Sequence, residues 1–175
     1  MERQQNKAST NEYDSTLYLN KNIKLGDTIK ILIANGIMTP DINIKSSYNL
    51  IDKNYAGVKF YEAKILTKDG RVNGLFYNSK MYEDENEFQS DLSKILTFLS
   101  KDYKLTKDST HTEKERLFTY TEREFEYTSS THIITLSINK KRWKDNFQTT
   151  YSFYLSPDIQ DSIVKNHHLT NLFYN

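Results

Sequence analysis

The sequence predicts an α+β fold in two layers, an antiparallel sheet of about five or six strands with helices packed on one face. Three stretches carry this expectation. In the first, 58–77, Asp69-Gly70 separates two runs whose apolar residues match across a two-residue hairpin loop. Thr67 then faces Val72, Ile65 faces Gly74 and Ala63 faces Phe76, so that Tyr61, Ala63, Ile65, Val72 and Phe76 share one apolar face. In the second, Phe88, Leu92, Ile95, Leu96, Leu99 and Tyr103 recur on one side of a helix over 85–103, and that stripe is expected to rest on the hairpin. In the third, Ile134, Leu136 and Ile138 alternate with polar residues, as do Phe147, Thr149, Tyr151, Phe153 and Leu155, which marks two half-buried strands.

The other elements follow in chain order. Residues 1–15 are polar and without period, the composition of a flexible tail, and 16–175 reads as a single domain. Leu17, Leu19, Ile23 and Leu25 alternate loosely before a short helix that Asp27 caps, with Ile29, Leu32 and Ile33 on its buried side and Gly36 in the left-handed position after its end. Pro40 stops that helix, and 42–50 is a short strand or an ordered loop. At 84–87 a capping box opens the long helix, with Asp84 as cap and Glu87 returning to the backbone. Residues 104–114 are polar and charged, the composition of a surface connection. The run 117–127 reads as extended, with Ser129-Ser130 as its turn. Ser156-Pro157 closes the last strand and opens a terminal helix. On the hairpin's second face, Lys64, Leu66, Asn73, Leu75 and Tyr77 hold more apolar surface than solvation needs, so a partner or a packed tail is expected there.

Composition narrows the function classes. At 175 residues the chain can bury a substantial core, and thirteen Tyr and nine Phe supply large amphipathic side chains for it. The 24 basic and 23 acidic residues nearly cancel, leaving a formal charge of +1, so no bulk field draws the chain to nucleic acid or anionic lipid. The absence of cysteine excludes disulfides, thiolate zinc sites and cysteine nucleophiles. No apolar run reaches the roughly 18 residues a membrane helix needs, and no apolar segment follows Met1. The chain is therefore read as cytoplasmic, or as exported after loss of a signal, with membrane contact only through a tether outside it.

Two constellations could carry chemistry. Glu122, Glu124 and Glu126 share one face of a strand, where close carboxylates could hold a cation or a proton. A carboxylate row opposite lysines on the wet side of a sheet explains them without chemistry, and does so more economically. Lys140, Lys141, Arg142, Trp143 and Lys144 gather four cations around the only tryptophan at a strand tip. A solvated hairpin end is the plain reading. The functional one is a contact site, for a protein rather than a nucleic acid, because Trp and Arg are typical interface anchors. The histidines are scattered, apart from His167-His168, which diverge too far on a helix to share a metal. No P-loop, dinucleotide fingerprint, nucleophile elbow or zincin motif occurs, so no cofactor or metal is expected and an enzyme is the lesser expectation.

From Leu25-Gly26-Asp27-Thr28 through Gly36-Ile37 and into the hairpin, the layout resembles small bacterial envelope lipoproteins of the outer-membrane assembly and β-lactamase-inhibitor-like groups. The resemblance covers 24–80. It implies a polar tether, a short helix opened by a Gly-polar turn and a sheet that meets other proteins, and it favours periplasm or envelope over cytoplasm. The long helix departs from that pattern, no lipid-bearing Cys is present, and no functional residue carries over. The resulting expectation is a non-catalytic protein-binding domain of an exported or envelope-associated bacterial protein, an inhibitor, immunity-type or assembly partner. The alternative is a small enzyme or ligand-binding domain with a pocket between sheet and helices.

Overall fold

In the computed structural model, which describes residues 18–20, 22–42, 44, 47–129, 132–143 and 146–157, Asp69 and Gly70 take positive φ of 52° and 73°. Their left-handed geometry turns strand β7 (Glu62–Lys68) tightly into β8 (Arg71–Asn78). These two lie mid-sheet. In chain order the elements are β1 (Tyr18–Asn20), β2 (Ile23–Lys24), α1 (Ile29–Ala34), β3 (Met38–Pro40), β4 (Tyr48–Leu50), β5 (Asn54–Tyr55), β6 (Val58–Lys59), β7 and β8. Then come α2 (Glu85–Asp102), β9 (Lys104–Lys114), β10 (Thr119–Thr128), β11 (His132–Trp143) and β12 (Asn146–Pro157).

Eight strands form one antiparallel sheet in the order β3-β4-β7-β8-β12-β11-β10-β9, while β1–β2 and β5–β6 are short separate ribbons. The expected two-layer α+β fold with five or six strands is corrected: the described chain is mainly β, with two helices. The main source of the difference is β9. It is exposed along its whole length, so neither face carries the apolar alternation that reveals a half-buried strand. Its threonines and its register with β10 make it a strand all the same. Polar composition alone predicts a surface connection over these residues.

The central hairpin keeps its expected turn but not its register. Lys68 and Thr67 pair with Arg71 and Val72, after which the register shifts and Leu66 faces Gly74, Ile65 faces Leu75 and Ala63 faces Tyr77. Asn73 is the extra residue of a β-bulge. The bulge turns Leu75 and Tyr77 to the side of Ala63, Ile65 and Val72, and all five are buried. Phe76 moves to the other face, and Tyr61 is 73% exposed because Phe60, one residue earlier, turns inward instead. Regular alternation assigned these positions the opposite way, since one inserted residue inverts every side chain beyond it. The second face of the hairpin is not the open apolar surface expected: Lys64 is buried there, ion-paired to Asp41 at 3.5 Å and Glu62 at 2.8 Å.

Helix α2 lies on the core face and buries Phe88, Leu92, Ile95 and Leu99. Asp84 caps it, its carboxylate accepting the N–H groups of Asn86 (2.7 Å) and Glu87 (3.3 Å). Glu87 does not return to the backbone; it pairs with Lys80. Below the helix, Tyr77 stacks on Phe153 at 4.7 Å, and Phe60 meets Phe153 and Tyr151 edge to face at 5.2 and 5.7 Å. Such ring pairs add about 0.5–1.5 kcal/mol each beyond area burial.

At α1 the N-cap is Thr28 rather than Asp27, whose carboxylate instead accepts the Lys24 N–H at 2.8 Å. Ile29 and Leu32 are buried as expected but Ile33 is exposed. Gly36, with φ of 66°, ends the turn after the helix. The last strand runs through Ser156 and Pro157, which pair with Ile133 and His132, so these two residues do not open a helix. The expected tail at 1–15, the terminal helix and His167-His168 lie outside the described residues.

Candidate binding surface

Strand β11 divides the basic cluster between the two faces of the sheet. Ile134, Leu136 and Ile138 are buried on the core side, and Lys140 continues that row. Its ammonium reaches Glu85 Oε1 in the first turn of α2 at 2.8 Å and lies 5.1 Å from the Phe88 ring. Lys140 is thus a strut between sheet and helix. Burial pushes the Glu85 carboxyl up, but hydrogen bonds from Lys140 and Gln89 and the ammonium charge outweigh it and hold the group below its usual value. Arg142 shares the core-side parity at the exposed end of the strand and has interactions of its own.

Lys141 and Trp143 fall on the opposite, open face. The Lys141 ammonium sits between two rings, 4.2 Å from the centroid of Phe118 and 4.9 Å from that of Trp143. Two hairpin ends create this arrangement. Thr119 pairs with Arg142, so continuing the register brings Phe118 beside Trp143, and the 115–118 turn stands next to the β11–β12 turn. Leu117, in the first of those turns, is 77% exposed. Lys144 lies outside the described residues. The patch is therefore Phe118, Lys141 and Trp143 flanked by Leu117. Nothing in the linear sequence singles out Phe118 or Leu117; only the pairing of β10 with β11 brings them to the tryptophan.

Glu122, Glu124 and Glu126 share that open face on β10, one strand from the edge. Glu124 accepts a hydrogen bond from Lys107 Nζ at 2.6 Å, which raises the lysine's pKa, and Glu126 accepts one from Thr106 Oγ1 at 3.1 Å. Glu122 pairs in register with His111 and Asn139, and Tyr120 donates to Asn139 beside it. The row is a cross-strand ladder facing β9. Among the described residues no three carboxylates or histidines converge as a metal-binding group.

No family model and no curated protein matches this chain. The chemistry of the surface thus has to be read from its own geometry. A cation close to two aromatic rings restrains both of them, and Phe118, Lys141 and Trp143, each half-buried, lie beside the exposed Leu117 on the sheet face opposite to α2.

Proposed function

We propose that this chain is a non-catalytic protein-binding domain, and that Trp143, Phe118 and Lys141 with Leu117 form its contact patch. The observation that supports this is the Phe118–Lys141–Trp143 sandwich, which holds a tryptophan ready on the open face. Large rings fixed before contact lose little freedom on binding, and aromatic and cationic residues of this kind concentrate interface energy. The near-neutral charge of the chain fits a protein partner better than a polyanion. In keeping with the resemblance over 24–80, the setting proposed is an exported or envelope-associated bacterial protein acting as an inhibitor, immunity-type or assembly partner.

The test is capture of partner from native extract by the intact chain, by Trp143→Ala and by Phe118→Ala, with melting temperatures measured in parallel. Each truncation is expected to weaken capture by roughly thirtyfold, the effect of about 2 kcal/mol at a hot spot, with no drop in melting temperature. Unchanged capture by both variants overturns the assignment. Binding whose affinity collapses between low and moderate salt identifies a polyanion instead.

A further inference from the structure

The sheet has two unlike edges. At one end β3 is three residues long and contains Pro40, which has no amide to offer. At the other, β9 is eleven residues long, all exposed, and among the described residues no strand lies beyond it. From Lys107 to Lys114 its register with β10 is unbroken. The Glu115 N–H donates to the Phe118 carbonyl at 2.9 Å, which closes this hairpin and fixes the alternation. Glu113, His111, Ser109 and Lys107 thus turn their backbone groups toward β10. Lys114, Thr112, Thr110 and Asp108 turn theirs outward.

We propose that this outer edge is the seam of a dimer, in which β9 pairs antiparallel with β9 of a second copy, Thr110 lying opposite Thr110. Charge selects both the partner and the register. Charged side chains, lysine above all, guard an edge; β9 mixes Lys104, Lys107 and Lys114 with Asp108 and Glu113, so a second copy can set opposite charges against one another. A two-fold axis normal to the sheet puts one residue opposite itself. Centred on Ser109, the pairing sets Lys104 against Lys114 twice. Centred on His111, it sets Asp108 against Lys114 and Lys107 against Glu115, but Asp108 is already held by Arg123 through two hydrogen bonds of 3.0 and 2.8 Å, and Glu115 lies past the end of the strand in the 115–118 turn. Centred on Thr110, it sets Lys107 against Glu113 twice, as non-hydrogen-bonded pairs in which side chains approach most closely; the Lys107 ammonium, bonded to Glu124 through one of its three protons, keeps donors for the second carboxylate. Asp108 then faces Thr112, and Ser109 faces His111.

The consequence is one continuous sheet through both copies. Because the axis is normal to it, the two α2 helices lie on one side and the two Trp143 patches on the other. An edge seam of this kind belongs to the small, transient class of interface.

The chain has no cysteine, so single introduced thiols report the register directly. Ser109→Cys, Thr110→Cys and His111→Cys are oxidised in the full-length chain and resolved by non-reducing electrophoresis. Thr110→Cys is expected to form a covalent dimer at least about tenfold faster than the other two, whose Cα atoms would stand roughly 8 Å from their symmetry mates, beyond disulfide reach. Sedimentation equilibrium of the unaltered chain up to about 0.5 mM is expected to show a reversible dimer, as suits a weak seam. Thr110→Pro removes only an outward amide and is expected to be monomeric with an unchanged melting temperature. A monomer at every concentration, a dimer that survives Thr110→Pro, or crosslinking that is equal at the three positions or greatest at Ser109 or His111 each overturns the proposal.

Discussion

The β7–β8–β12 half of the sheet and the β9–β10 half share one hydrogen-bonded lattice but are stabilised by different means. Under α2, Ile65, Leu75, Tyr77, Tyr151, Phe153 and Leu155 are almost wholly withdrawn from water. Each such side chain contributes about 1.5–3 kcal/mol of transfer free energy. In β9 no side chain is buried, and what holds the strand is its ladder to β10 with cross-strand pairs such as Lys107–Glu124 and Arg123–Asp108. The Arg123 guanidinium also lies 4.5 Å from the Phe125 ring, the outermost buried residue of β10, and closes the apolar layer there. Regular secondary structure is thus no guide to local stability. The first half sets whether the chain folds, and the second sets what its edge and tip present.

The sharpest test truncates an aliphatic side chain in each half. Ile95→Ala opens a cavity where α2 meets the core, and should cost about 2–5 kcal/mol, with a melting temperature lower by roughly 5–15 °C. Leu105→Ala in β9 removes a side chain that is 46% exposed and should change stability by no more than about 0.5 kcal/mol. Comparable losses from the two, measured by urea unfolding, would erase the distinction between the halves.

Gly74→Ala comes next. A Cβ on Gly74 would lie 2.4 Å from the Leu155 carbonyl oxygen, a backbone atom that cannot step aside without parting β8 from β12. The expected cost is about 1–3 kcal/mol. Gly70→Ala, at φ of 73° and with nothing within 4 Å of the new carbon, strains only the turn and should cost about 1 kcal/mol. An equal cost for the two substitutions, read by chemical denaturation, would show that the Leu155 carbonyl gives way to the added carbon and that close approach does not limit Gly74.

The same contrast explains what the sequence disclosed. Elements that bury one face are written in apolar periodicity: α2 was legible to within one residue at its end, and the β11 and β12 alternation is the one observed. Asp69-Gly70 showed its turn because the chemistry of that turn is local. The bulge at Asn73 was not legible, since the free energy that selects Leu75 and Tyr77 over Phe76 comes from packing against Phe153, far away in sequence. Strand β9 was hidden for the opposite reason, having no buried face to leave a pattern. The candidate patch was half legible. Lys141 and Trp143 stand out by composition, whereas Phe118 joins them only through β10–β11 register, and Lys140 leaves them for Glu85 because successive strand residues point to opposite faces.

Hydrogen exchange in dilute protein refines the comparison without altering the chain. Amides of Tyr151 and Phe153 should exchange last, with free energies near that of global unfolding. Within β9, the amides of Lys107, Ser109, His111 and Glu113 should be slower than those of Asp108, Thr110, Thr112 and Lys114, which face outward. Uniform protection along β9 in the monomer would contradict the alternation set by the 115–118 turn.

The smallest expected effect is on acid stability, and it again separates the halves. At the seam between helix and sheet, burial pushes the Glu85 and Asp91 carboxyls up, yet Lys140 and Gln89 on the one, and Lys94 and the Tyr82 hydroxyl on the other, bring both below their usual values. The Tyr82 hydroxyl, donating to Asp91 at 2.9 Å, is itself pushed far up by burial and stays protonated. A carboxyl whose folded pKa lies below its unfolded value, about 4, contributes stability that is complete above that value and is lost as pH falls through the folded pKa. The unaltered chain should therefore lose stability as pH drops below about 4, and Glu85→Gln with Asp91→Asn should flatten that fall while lowering stability at neutral pH. Asp108, lowered by its hydrogen bonds to Arg123, is exposed on β9, where solvent screens the pair. Asp108→Asn should leave the acid limb of global unfolding where it was. An acid limb that follows Asp108 instead of Glu85 and Asp91 would place the edge, and not the helix seam, in control of folding.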